Sequence, residues 1–346
     1  MERQREYSRR RALWAAGAGA AGVALAAATG RACTRRPALR RAGDFDLSEA
    51  TEILAPSPLY HRTVAQSFAF DEERGDVYAA QIVQGGVRLP GETRAVTSAA
   101  RSANGDLCVT RLSADGRRTG HMYLRGFGHG VSIGVEPHAS GVLLWTESQA
   151  HPHTGYGRAI ARFPFRDGAV LDTTDSRLRH HRPLPGSLAN QPALDLVRGR
   201  VLVGHWAATG QGREQRYAVY GLDDFVRRRY EPLHVVRPAQ LGPDETYQGC
   251  ALHGDHVYQL TGDPYTGASD GNPPSSGGNV RVRAIRLTDG RTTEDVRVTI
   301  AADLAYREPE GLAVRRAGGP QLCTGFATGA AGDRQLAIHA FDSVRG

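Results

Sequence analysis

The densest run of chemically capable side chains is Gly120-His121-Met122-Tyr123-Leu124-Arg125-Gly126-Phe127-Gly128-His129-Gly130-Val131. His121, Arg125 and His129 can hydrogen-bond hydroxyls or phosphates. Gly126, Gly128 and Gly130 permit backbone angles and close approaches that a Cβ forbids. Glu136, Trp145 and Glu147 follow on the next hairpin. A Trp beside carboxylates suits sugar recognition, because the apolar face of a sugar covers the ring while carboxylates take its hydroxyls. The competing role for Trp145 is packing between structural units. A second cluster, Tyr306-Arg307-Glu308-Pro309-Glu310-Gly311, sets two carboxylates beside a guanidinium. Such a group can bind a metal, clamp a ligand or do acid/base work, or can serve as an ion-paired plug. All 43 basic residues are Arg. A bidentate grip on phosphate or carboxylate is therefore the expected cationic contact.

Weaker signals narrow the chemistry. The loop from Gly262 to Pro273 carries Asp263, Tyr265, Asp270 and Asn272, which leaves calcium open, but its spacing departs from the EF-hand pattern. No other cofactor is expected and no metal site is assigned. His151 and His153 flank Pro152 in a loop-like stretch, and His180-His181 has no accompanying ligands. There is no HExxH, no GxSxG and no metal-type cysteine pair. The absence of Lys excludes a P-loop lysine and a Schiff-base lysine.

The elements that must hold these residues are strands. Past Asp44 there is no long helical periodicity. Short β-rich runs end instead in Gly, Asp or Asn, as in Gly75-Asp76-Val77-Tyr78 and Asn104-Gly105-Asp106-Leu107-Cys108-Val109. They form a larger unit of three strands that closes in Asp-Gly or Asp-Asp. Its opening strands lie at residues 70, 135, 194, 251 and 313, a period of about 60. An all-β chain with that self-similarity reads as a five-bladed β-propeller filling residues 45–346. Segment 45–65 is expected to add an outer strand to the last blade and close the ring. A β-sandwich with long insertions is the runner-up fold. In a propeller, the loops of one face and the ends of the innermost strands converge on the axis, where ligands usually bind.

The formal net charge of +7 sits in the first 44 residues. Residues 1–32 contribute +4 and residues 33–44 contribute +3, so residues 45–346 carry 33 Arg against 33 acids. A nucleic-acid binder would keep its excess charge on the folded surface, so no nucleic-acid partner is expected. Ser8-Arg9-Arg10-Arg11-Ala12-Leu13 has the register of a twin-arginine export signal, followed by a weakly apolar Ala/Gly run. Residues 1–32 therefore read as a signal peptide and 33–44 as an Arg-rich tether, with the folded domain working outside the cell or at its wall and no stable membrane span remaining after processing. Gly17 to Gly22 matches GxGxxG, but no strand precedes it and dinucleotide binding is excluded. Cys33 lacks the small and apolar neighbours of a lipoprotein box. Cys108, Cys250 and Cys323 sit in apolar alternating stretches and read as buried core thiols, with the pairing of any two left open.

The runs Ser67-Phe68-Ala69-Phe70-Asp71, Gln84-Gly85-Gly86, Asn104 to Leu112, Gly120 to Glu136, Leu144-Trp145-Thr146-Glu147 and Arg307-Glu308-Pro309-Glu310-Gly311 resemble actinobacterial secreted proteins labelled teichoic acid biosynthesis protein C. That family is similar to the β-propeller platform of staphylococcal phage receptor-binding proteins. The resemblance covers nearly all of residues 45–345. It implies a five-bladed propeller and, for the phage relatives, recognition of wall teichoic acid, a polyol-phosphate glycopolymer. It carries over no catalytic set.

The expected function is non-catalytic binding of a teichoic-acid-like cell-wall glycopolymer or another polysaccharide at the axial face. His121, Arg125, His129, Trp145, Tyr247, Gln248 and Arg307 are the candidate contacts. The alternative is an extracellular glycan hydrolase or lyase that draws its acid and base from His129, Glu136, Glu308 and Glu310. Two facing carboxylates about 5 to 10 Å apart would favour that alternative. A scaffold for a protein partner is the third reading.

Overall fold

The computed structural model describes residues 44–210, 212–267 and 271–344. The segment expected to be a signal peptide, residues 1–32, and all of the expected tether but Asp44 lie outside the described residues. Five sheets, antiparallel except for one short pair, stand around a common axis. The first strand of the described residues is β1 (Thr51–Pro58). Blade one follows as β2 (Ala65–Phe70), β3 (Val77–Ile82), β4 (Leu107–Leu112) and β5 (Arg118–Arg125). Blade two contains β6 (Ile133–His138), β7 (Gly141–Ala150) and β8 (Gly157–Pro164). After β8 the chain crosses back to blade one, where β9 (Val170–Asp172) pairs parallel with β5, and then returns to blade two as β10 (Arg179–His181), paired with β8. Residues 165–182 thus strap the two blades together. Blade three is β11 (Leu188–Asp195), β12 (Arg200–Thr209), β13 (Gly212–Gly221) and β14 (His234–Val236). Blade four is β15 (Tyr247–His253), β16 (His256–Thr261), β17 (Arg281–Arg286) and β18 (Thr292–Arg297). Blade five is β19 (Glu308–Arg315), β20 (Gln321–Thr328) and β21 (Gln335–Asp342), with β1 as its outer strand.

The ring is thus a propeller and not a sandwich, and β1 is the expected closing strand. Each of the five expected opening positions falls on an innermost strand: β2, β6, β11, β15 or β19. Inner and second strands are buried on both faces because each blade is covered by its two neighbours, and β16 is buried throughout. The apolar clusters lie between blades, as with Leu107, Leu124, Ile133, Leu144 and Phe163 between blades one and two. The Asp-Gly closings are tight turns with glycine at positive φ, including Gly116 at 81° and Gly290 at 71°.

Among the described residues, two short α-helices stand outside what the periodicity predicts. The first, α1 (Ser98–Asn104), is capped by the Thr97 hydroxyl accepting from the Ala100 N–H at 3.2 Å and ends on left-handed Gly105. The second is α2 (Leu222–Val226). Cys108, Cys250 and Cys323 are buried free thiols in three different blades. Burial pushes the Cys250 and Cys323 thiols up to about 12. Among the described residues no helix is long and apolar enough to cross a membrane.

Candidate functional site

The leading ends of β2, β6, β11, β15 and β19 meet on one face, here called the upper face. Antiparallel pairing brings the end of β5 at Arg125, the end of β7 at Ala150 and the start of β8 at Gly157 to the same face. Four of the five inner strands break register there. The residues carried by these irregularities are Gln66, Asn190, Gln248 and Glu310, all nearly inaccessible to solvent. Gly249 and Gly311 let the inner strands converge, since a Cβ on Gly311 would lie 3.0 Å from the Ser67 Cα and one on Gly249 3.1 Å from the Gly311 Cα. Ser67 Oγ donates to the Gly130 carbonyl at 2.6 Å. The inner strands therefore approach one another closely at the upper end of the axis.

The glycine-rich run ahead of β6 is built around Glu147. One carboxylate oxygen accepts from the His129 and Gly130 N–H groups at 2.7 and 2.8 Å, and the other from the Gly157 N–H at 2.5 Å. A side chain on Gly128 would collide with this carboxylate. Burial pushes Glu147 up to about 7, and the backbone donors pull the other way. His129 stacks on Tyr156 with ring centroids 4.1 Å apart, and its Nε2 lies 3.1 Å from the Thr154 carbonyl. The three glycines and His129 thus form a backbone cradle for a buried carboxyl.

The remaining expected contacts are dispersed. Trp145 is completely buried between blades two and three, beside Phe225 and His181. Its Nε1–H donates to Glu136, which also takes a two-pronged contact from Arg162 at 2.8 and 2.6 Å. Packing between blades therefore replaces the sugar-platform role, and Glu136 turns toward the third strand of its own blade. His121 lies midway along β5 on the outer edge of blade one, where it stacks on Tyr60 at 3.6 Å. Tyr247 packs in the core with Cys250 and Tyr217, and burial raises its phenol well above the usual range. Gln248 donates to the Gly262 carbonyl at 3.0 Å.

Arg307 is fully buried in the loop ahead of β19. It donates to the Val298 carbonyl at 2.9 Å and to the Ile300 carbonyl at 2.8 and 2.9 Å, and its guanidinium lies over Phe326 and Tyr265. Burial lowers its pKa. The expected clamp is a fastener for the backbone. Tyr306 and Arg307 both have positive φ, 71° and 40°, a costly pair of angles for residues with side chains. The Tyr306 hydroxyl donates to Glu308 at 2.9 Å, and the Arg334 guanidinium covers the Tyr306 ring. In the loop weighed for calcium, the Asp263 carboxylate accepts from Thr246 at 2.6 Å and Asn279 at 2.8 Å. Asp270 lies outside the described residues.

Sequence reasoning did not find an open polar groove of about 530 Å³ on the upper face, at the seam of blades one and two. Its walls are the ends of β5 and β7, the start of β8 and the strap. Gln149 organises it from a left-handed backbone, with φ at 60°. Its N–H donates to Thr173 Oγ1 at 3.3 Å, its carbonyl accepts from Arg158 Nε at 3.2 Å, and its Oε1 accepts from Arg182 Nε at 2.8 Å. His180 Nε2 faces the Thr173 carbonyl at 3.0 Å, so this nitrogen carries the proton and Nδ1 accepts from Ser148 Oγ, also at 3.0 Å. Burial holds His180 below the usual histidine range, and Arg182 and Arg228 act in the same direction. Arg125, an expected contact, ends beside the groove and is held by Asp172 at 3.3 Å. The only advance signal was the His180-His181 pair. Nothing in the spacing of Gln149, Arg158 and Arg182 announced a shared site.

A ring of five blades, one of five strands and four of four, closed by β1 and carrying an off-axis polar groove, defines a five-bladed β-propeller. The chain belongs to the family of the phage five-bladed β-propeller receptor-binding platform domain, whose pattern it matches over residues 64–340. It is 24% identical over 317 residues to a Bacillus subtilis (strain 168) chain that carries the name major teichoic acid biosynthesis protein C. That alignment spans 88% of this chain and 65% of the relative, so the chain spans just under two thirds of the relative's length. Among solved structures it is similar to the tail fibre of Staphylococcus aureus phage P68, with a TM-score of 0.63, 17% identity and coverage of 86% of this chain and 53% of the fibre.

Proposed function

We propose that the protein is an exported, non-catalytic propeller that binds a cell-wall glycopolymer or related polysaccharide through its upper face. The observation that carries this reading is the dispersal of the acid/base candidates. Glu136 is spent on Arg162 and Trp145 in blade two. Glu308 is bonded to Tyr306 in blade five, and Glu310 is buried at the axis. His129 is stacked and its backbone serves Glu147. A glycosidase presents two facing carboxyl groups to one cleft, and the internal bonding of Glu136 and Glu308 and the burial of Glu310 speak against that arrangement. Membership of a receptor-binding platform family supports recognition as the task, and the Ser8 to Leu13 motif supports export to the wall.

Sedimentation of the purified protein with isolated cell walls, together with binding to extracted glycopolymer by calorimetry, tests the reading. Saturable binding with no release of reducing ends or polymer fragments is the expected result. Fragment release, abolished by Glu308→Gln, would replace it with the hydrolase or lyase reading.

A further inference from the structure

We infer that the groove at the seam of blades one and two, and not the axis, is the ligand site, and that it recognises an anionic saccharide or polyol segment through one phosphate or carboxylate held between Arg158 and Arg182. This inference rests on the binding function proposed above and assigns its place and ligand chemistry.

Three observations combine. First, among the described residues neither Arg158 nor Arg182 is in an ion pair, whereas the nearby Arg125 and Arg177 are neutralised by Asp172 and Asp175. Asp175, the carboxylate on the groove wall, is bonded to the Arg177 side chain at 2.6 Å and to its N–H at 2.9 Å. An incoming anion therefore meets two uncompensated guanidinium groups.

Second, both guanidinium groups are pre-positioned by one residue. The Gln149 carbonyl takes the Arg158 Nε–H and the Gln149 side-chain oxygen takes both the Nε–H and an Nη2–H of Arg182, leaving the two terminal nitrogens of Arg158 and the Nη1 of Arg182 as donors for a ligand. Fixing the forks in advance lowers the ordering cost that flexible surface arginines incur on binding.

Third, Gln149 holds an unfavourable left-handed conformation in a strand where an extended residue would suffice for pairing. Backbone strain of this kind persists where the surroundings enforce it and gathers at ligand sites. Here it is what turns the carbonyl and the side chain toward the two arginines. Thr174, Ser176 and Asn104 line the same groove and supply partners for ligand hydroxyls.

The test compares the purified wild-type chain with Arg158→Gln/Arg182→Gln and with Gln149→Gly, which keeps both arginines but removes the side-chain acceptor. Probes are poly(glycerol phosphate), polygalacturonate and neutral dextran. The expected result is wild-type binding to an anionic polymer that weakens with salt, an affinity loss of about 10- to 100-fold in the double variant, and a smaller loss in Gln149→Gly. Circular dichroism and Tm should be unchanged in the double variant, because both side chains are exposed. Preference for the phosphate or the carboxylate polymer identifies the anion. If the wild type binds cell walls or any probe and the double variant binds equally well, the groove assignment falls while the binding function stands. Binding of dextran alone overturns the anionic class. If the wild type binds no wall material at all, the function proposed above fails and this inference with it.

Discussion

Two regions of the upper face use polar side chains in opposite ways. Around the axis, Gln66, Asn190, Gln248, Glu310 and the Glu147 carboxyl are buried, and Gln66, Asn190, Gln248 and Glu147 are bonded to backbone groups. At the seam of blades one and two, Arg158, Arg182, Thr174 and Ser176 stand in an open groove. The difference is geometric. Five inner strands, four of them bulged and two of these with a glycine at the bulge, converge on the axis, and each polar group buried there must be satisfied internally. At the rim the strap holds two blades together without filling the angle between them. Polarity near a propeller axis is therefore no guide to ligand contact, and what matters is which donors remain exposed.

The comparison can be broken by substitutions that confuse the two roles. The largest effect is expected at the axis. Gly311→Val places a β-branched side chain at a φ of 86° and against Ser67, and should lower stability by about 4 kcal/mol in urea unfolding. A variant with wild-type stability would mean that the axis is open.

Glu147 supplies a pH signature. Its folded pKa of about 7 exceeds the ordinary glutamate value of 4.5, so the folded state binds the proton more tightly than the unfolded chain. Stability should therefore fall as pH rises from about 4.5 to about 7, by on the order of 3 kcal/mol. Glu147→Gln should flatten this part of the profile whatever its overall cost. An unchanged slope in that variant would remove Glu147 as its source.

Gln248→Ala should cost about 1 to 2 kcal/mol through the orphaned Gly262 carbonyl and leave glycan affinity intact per folded molecule. The smallest effect belongs to the seam, where Arg158→Gln or Arg182→Gln should each change stability by less than about 0.5 kcal/mol. A large loss there would make the two arginines part of the scaffold.

The ring was legible because its inner strands repeat a strong signal. Alternation with Gly and Asp stops survives in every blade, and the positions near 70, 135, 194, 251 and 313 all fall on β2, β6, β11, β15 and β19. The outer strands were not. β9, β10 and β14 are three residues long, and the chain path from β8 to β9 to β10 breaks the sequential order of the blades. The site was hidden for a related reason. Trp145 and Arg307 have the chemistry of ligand contacts, and only burial shows that they are used inside. Gln149, Arg158 and Arg182 are ordinary surface types whose meaning comes from a left-handed residue and a strap, neither of which leaves a local pattern.

The closure by β1 has a temporal side. Thr51 pairs opposite Ala340, so nearly the whole domain must be present before the last blade can be completed. During synthesis the first four blades would emerge with blade one lacking its neighbour on one side and β1 unpaired. Such long-range pairing makes folding slow relative to helical proteins of similar size. A chain shortened by its last strand should hold an open, aggregation-prone arc, and moving β1 to the C-terminus by circular permutation should convert the closure into a local hairpin step.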